Sequence, residues 1–93
     1  MVLNIDNFLN MKPEDILEEL KKHKHEELKQ FRKVLRFQYN QLAQFVPMGK
    51  KQLLAYQDDP EELKLINSEL LIVGATLQKI EDCCNMITAI VND

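Results

Sequence analysis

Residues 59–91 read DPEELKLINSELLIVGATLQKIEDCCNMITAIV, and this stretch decides the fold. It opens with Asp59 as an N-cap acid, Pro60 at the first helical position and Glu62 placed to complete a capping box. From there Leu63, Ile66, Leu70, Val73, Leu77, Ile80, Cys84, Ile87 and Val91 recur at alternating steps of 3 and 4 without a miss. That 3.5-residue repeat predicts one helix over 60–91 that packs along its whole length against other helices. With Leu63 as a, the a positions are Leu63, Leu70, Leu77, Cys84 and Val91, and the d positions are Ile66, Val73, Ile80 and Ile87. Leucine at a with β-branched residues at d disfavours a two-stranded parallel coil and points to a four-helix core.

Leu65, Leu71, Ile72, Met86 and Ile90 fall off this seam and make a second apolar surface, so the helix has more than one neighbour. Gly74 in mid-helix costs ~1 kcal/mol against alanine, and close approach of another backbone is the expected compensation. Lys79, at c, is read as solvent-facing.

Upstream, a long helix is predicted over 13–46. Pro13 suits its first position, and Glu14 and Asp15 suit the positive helix end. Ile16, Leu17 and Leu20 form a first apolar patch, followed by seven polar residues, Lys21 to Glu27, with no breaker among them. The stripe then resumes as Leu28, Phe31, Leu35, Tyr39, Leu42 and Val46, widened by Val34, Phe37 and Phe45. Pro47 is expected to end the helix, because the residue before proline avoids the helical region. The connector 48–57 then reads as a turn and about two helical turns. At the start of the chain, Asn4–Asn10 either forms a short helical turn capped by Asn4 or is a tail whose Ile5, Phe8 and Leu9 dock on a neighbour.

The fold expectation is therefore all-α: residues 1–93 as one domain, a hairpin of two long helices with short extra helical turns. One hairpin cannot cover such wide apolar faces, but two can, as a homodimeric four-helix bundle. At 93 residues a monomer would be marginal, and oligomerisation is the usual remedy. Charge agrees with helices packed on one another. Residues 20–40 carry seven Lys or Arg against two acids, and residues 54–93 carry two Lys against eight acids.

The chain has no basic start followed by a long apolar run, so neither a signal peptide nor a membrane span is expected. The two cysteines, Cys83 and Cys84, are adjacent and cannot staple distant segments, which fits a reducing, cytoplasmic setting. Ten Lys against two Arg fit an AT-rich genome, such as that of a low-GC bacterium or its phage.

Chemistry is sparse. His23 and His25 lie about 200° apart on a helix and cannot chelate one ion together. His23 is expected beside Glu19 and Glu27. Adjacent cysteines diverge on a helix, so Cys84 is read as a small apolar seam residue and Cys83 as a g position facing a symmetry mate. The acids at 14–19 and 58–62 serve helix starts. There is no glycine-rich phosphate loop, nucleophile elbow or catalytic triad pattern. No enzyme, no cofactor and no metal are expected.

The leading expectation is a non-catalytic protein–protein interaction module, an adaptor, assembly factor or inhibitor of a partner protein, acting as a helical-bundle oligomer. Its nine-residue seam from Leu63 to Val91 is the expected oligomerisation surface. Phe37, the apolar face of 65–72, and Ile5, Phe8 and Leu9 are candidate partner contacts. The alternative is a small RNA- or DNA-binding helical dimer using the basic helix 21–36. Lys29, Arg32, Lys33 and Arg36 would then be its contacts, extended by Lys50 and Lys51 in the connector.

Overall fold

The computed structural model describes residues 2–92, and these are mostly helical with no strand among them. A 3₁₀ turn, Ile5–Asn7, leads into four α-helices: α1 Pro13–Lys21, α2 His25–Ala43, α3 Phe45–Ala55 and α4 Pro60–Val91. The molecule is elongated, 51 × 21 × 19 Å. Its length is that of α4, since 32 residues at ~1.5 Å each span nearly all of it.

α4 begins and ends on local signals. The Asp59 carboxylate accepts the Glu62 N–H at 3.3 Å, Pro60 occupies the first turn, and Asn92 closes the helix in the left-handed region (φ 60°) with its N–H on Thr88 O. Asn is among the few residues that tolerate that conformation.

The single helix expected over 13–46 is instead three. After α1 the chain tightens: Lys22 N–H bonds Glu19 O and His23 N–H bonds Leu20 O, each three residues back, and Lys24 is extended. No proline or glycine forces this break. It lets α1 fold back so that Ile16 and Leu20 share one core with Leu28, Phe31 and Leu35 of α2. A continuous rod would leave them bare, so burial overrides local helix propensity.

Pro47 does not end the helix either. Gln44, still in the right-handed helical region (φ −65°, ψ −23°), closes α2 and starts α3, and Pro47 lies in the first turn of α3. There its missing N–H costs nothing, because first-turn N–H groups have no partner inside the helix. Val46 stays helical despite preceding a proline. The connector expected at 48–57 is thus mostly helix, and the turn back is Tyr56–Asp59.

α4 then runs antiparallel along α2 and α3. Arg32 of α2 meets Thr88 near its far end, and Gly49 of α3 meets Leu70 nearer its start. The two ends of the molecule differ. At one end, residues 5–20 lie over the α2–α4 pair and seal a core of Ile5, Phe8, Ile16, Leu20, Leu28, Phe31, Leu35, Ile80, Cys83 and Ile87. Each fully buried side chain there contributes ~1.5–3 kcal/mol of transfer free energy. Phe8 and Phe31 pack with ring centroids 5.8 Å apart. The Lys79 ammonium, half-buried rather than solvent-facing, donates to Met11 O at 3.0 Å and pins the approach to α1. At the other end α2–α3 and α4 form two helices with no third element over them.

Candidate functional site

The seam residues of α4 all lie at least half-buried, but only Ile66, Ile80 and Ile87 are fully so. In the covered half the deepest line runs through Ile80, Cys83 and Ile87, at positions d and g. Residues 5–20 lie on the g side, so the centre of the core falls between them and α2. Cys83 is accordingly not free to face a symmetry mate. Cys83 is sealed in this chain's own core, and Cys84, the seam residue, is half-buried.

Burial pushes the Cys83 thiol up to about 11. It also raises Cys84, against the lowering pull of Arg36 and Arg32. Neither thiol is an activated nucleophile. Cys84 lines a hollow of about 440 Å³ between α2 and α4 with Arg36, Tyr39, Asn40, Ile80 and Glu81.

The histidines part company. His23 sits in the break before α2, its Nε2 3.6 Å from Glu19 and its Nδ1 3.2 Å from Glu27, joining the two helix ends. Burial acts to raise the Glu19 pKa, but the hydrogen bond and charge of Lys22, joined by His23, more than offset it and hold the carboxyl below its ordinary value. His25 is exposed. Among the described residues no three His, Cys, Asp or Glu side chains gather as a metal site would require. Nor is any helix among them long and apolar enough to cross a membrane.

The basic residues are spread along the rod, and one of them is turned inward. Arg32 is buried against α4 and donates to the Thr88 hydroxyl at 3.0 Å, so it is not a solvent-facing phosphate contact. Lys29 is half-buried, with its ammonium 3.9 Å from Glu26. Lys33 and Arg36 are exposed on α2, and Lys50 and Lys51 are exposed on α3, farther along the rod. Ile5 and Phe8, expected as partner contacts, belong to the chain's own core, with Leu9 packed beside them.

The apolar surface is concentrated in the uncovered half. The trough that residues 5–20 fill at one end continues beyond them as three hollows of about 290, 280 and 240 Å³. They join through shared walls. Phe45 lines the first and second, Thr76 the second and third, and Ile5 and Leu9 mark where the covering segment stops. Phe37 (64% exposed), Phe45 (54%), Met48 (54%) and Ile72 (67%) wall it, and Leu65 (53%) lies one heptad before Ile72 on the same side of α4.

Of the nineteen residues that line the three hollows, one, Glu69, is charged, in a chain that is 29% charged. Charge depletion around exposed aromatic and Met side chains is the signature of a protein interface core. The trough is shallow and divided into three open hollows.

Gly74 was expected to face a closely approaching backbone, yet a β-carbon there would meet nothing within 4 Å. The close approach is at Gly49, inside α3, where the connector 48–57 is expected to turn. No protein-family model matches this chain, and neither the curated proteins nor the solved structures contain a significant match to it.

Proposed function

We propose that this protein is a non-catalytic protein–protein interaction module, an adaptor, assembly factor or inhibitor of a partner protein, that works as a helical-bundle oligomer in the cytoplasm. The observation that carries this reading is the open, nearly charge-free trough over half the rod. An apolar face of this size on a chain this small calls for a protein to cover it. A homodimer in which two hairpins complete a four-helix bundle supplies the missing cover. Two free cysteines, neither activated, agree with a structural role in a reducing compartment.

The nucleic-acid reading ranks below this. With Arg32 turned into the fold, it rests on Lys29, Lys33 and Arg36 along one ridge of α2, beside an acidic α4.

Two measurements test the proposal together. Sedimentation velocity through the micromolar range should show self-association. Fluorescence anisotropy with labelled single- and double-stranded RNA and DNA at low salt should show no binding. A monomer throughout, with tight and steeply salt-dependent nucleic-acid binding, would replace the proposal with its alternative.

A further inference from the structure

We infer that the trough is the contact surface between two copies of this chain, related by a two-fold axis that crosses α4 near Ser68 and sets the two α4 helices antiparallel. The inference rests on the oligomer reading above and adds the face, the direction and the register.

Area comes first. Phe37, Phe45, Met48, Leu65 and Ile72 are each more than half exposed. Together they leave on the order of 500 Å² of apolar surface bare, at the upper end of what a monomer shows. A stable dimer buries ~800 Å² per partner, of which this apolar patch would supply more than half.

Charge comes second. In a two-fold contact the same patch meets itself, so any charge near the axis faces its own copy. The three hollows hold one charge, Glu69, among nineteen lining residues, and the hollow beside them that contains Leu65 and Ser68 adds one acid and one base, Glu61 and Lys64. The face therefore carries little net charge and can meet itself, whereas a face of one sign would repel itself.

Space decides the direction. Residues 5–20 occupy the trough position at one end of each copy. A parallel pairing would put both copies' segments 5–20 into the same volume. The antiparallel pairing overlaps only the uncovered halves, and each copy's Tyr56–Asp59 turn abuts the other's covering segment.

The uncovered half of α4 runs from Pro60 to about Thr76, so its centre is near Ser68. Leu65 and Ile72 lie symmetrically about that centre, and the rotation places Leu65 of one copy on Ile72 of the other. Glu69 then stands beside the axis and faces its own counterpart.

Each feature has its own readout. Ile72→Glu, at an exposed position, should keep the wild-type helical circular dichroism while raising the dimer dissociation constant by more than about tenfold. Glu69→Gln should lower that constant several-fold, by removing a like-charge pair. Under mild oxidation Ser68→Cys should form a disulfide-linked dimer, and Gln57→Cys, at the turn, should not, relative to the wild-type chain with its native cysteines.

If the wild type dimerises but Gln57→Cys cross-links in place of Ser68→Cys, or Ile72→Glu remains a tight dimer, this inference is overturned while the oligomer reading survives. A wild type that stays monomeric at every accessible concentration overturns both.

Discussion

Gly49 of α3 lies against Leu70 of α4 so closely that a β-carbon at residue 49 would sit 2.5 Å from Leu70 Cδ2 and 3.0 Å from its Cγ. Here the glycine serves packing, since its φ is not positive. Gly49→Ala sets a helix-propensity gain of ~1 kcal/mol against displacement of a half-buried leucine that can rotate away, so its net effect should be small. Gly49→Leu cannot be accommodated so easily and should cost ~1–3 kcal/mol through overpacking. Thermal melts at matched protein concentration compare the two. A Gly49→Leu protein that melts with the wild type would mean that α3 and α4 do not touch there.

Arg32 is a structural residue, buried and bonded to Thr88. Arg32→Met keeps the apolar stem but loses the bond to Thr88, and a charge-assisted hydrogen bond of this kind is worth ~1.5–3 kcal/mol. The same change at exposed Lys33 should stay within ~0.5 kcal/mol. Adding Thr88→Val to Arg32→Met should cost little more, because its partner is already gone. Additive losses in this double-mutant cycle would dissolve the pair.

The depth of α4 side chains sets a graded series. Ile80→Ala, in the sealed core, should cost ~2–5 kcal/mol. Leu77→Ala, at a half-buried a position, should cost clearly less. Leu71→Ala, at a side chain that is 75% exposed, should change stability by under ~0.5 kcal/mol. Denaturant titration orders the three, and a different order would contradict the assignment of the core.

Cys83 gives alkaline stability a sign. Burial raises its pKa from 9.0 to about 11 in the folded chain. The unfolded chain therefore releases the proton at lower pH than the folded one. The stabilisation is fully present below pH 9 and is lost as pH rises through about 11, to the extent of about 2–3 kcal/mol. The melting temperature of Cys83→Ala should fall less steeply over this range than that of the wild type. At neutral pH iodoacetamide should modify Cys84 ahead of Cys83, and faster labelling of Cys83 would refute its burial.

What could be read from sequence was what is local. The bounds of α4 follow from Asp59, Pro60 and an unbroken period, and helix 60–91 stands as Pro60–Val91. The break at Lys22–Lys24 carries no proline or glycine; it exists because Ile16 and Leu20 find their partners in α2 and α4. Pro47 was legible as a boundary but not as a first-turn residue, since both uses share one local sequence.

The heptad line marks the side of α4 that packs on α2 and α3 of the same chain, so it is not left free as the expected oligomerisation surface, and it misses the deepest residues. A periodic pattern assumes one neighbour, whereas residues 5–20 add a second on the g side and draw Cys83 inward. Arg32 and Lys79 looked solvent-facing by type, yet both reach groups 56 and 68 residues away in the chain. For the trough, apolar residues at 65 and 72 were visible in advance, but its length depends on where the covering segment stops. That is a tertiary fact.

In the proposed dimer a second copy covers the trough, with Leu65 against Ile72 across a two-fold axis. The most direct measurement is an isotope-filtered NOE experiment on a dimer mixed from ¹³C-labelled and unlabelled chains, which reports contacts between copies alone. Methyl contacts between Leu65 of one copy and Ile72 of the other are the predicted result. Intermolecular contacts confined to other faces, or none from a chain that sediments as a dimer, would contradict the account.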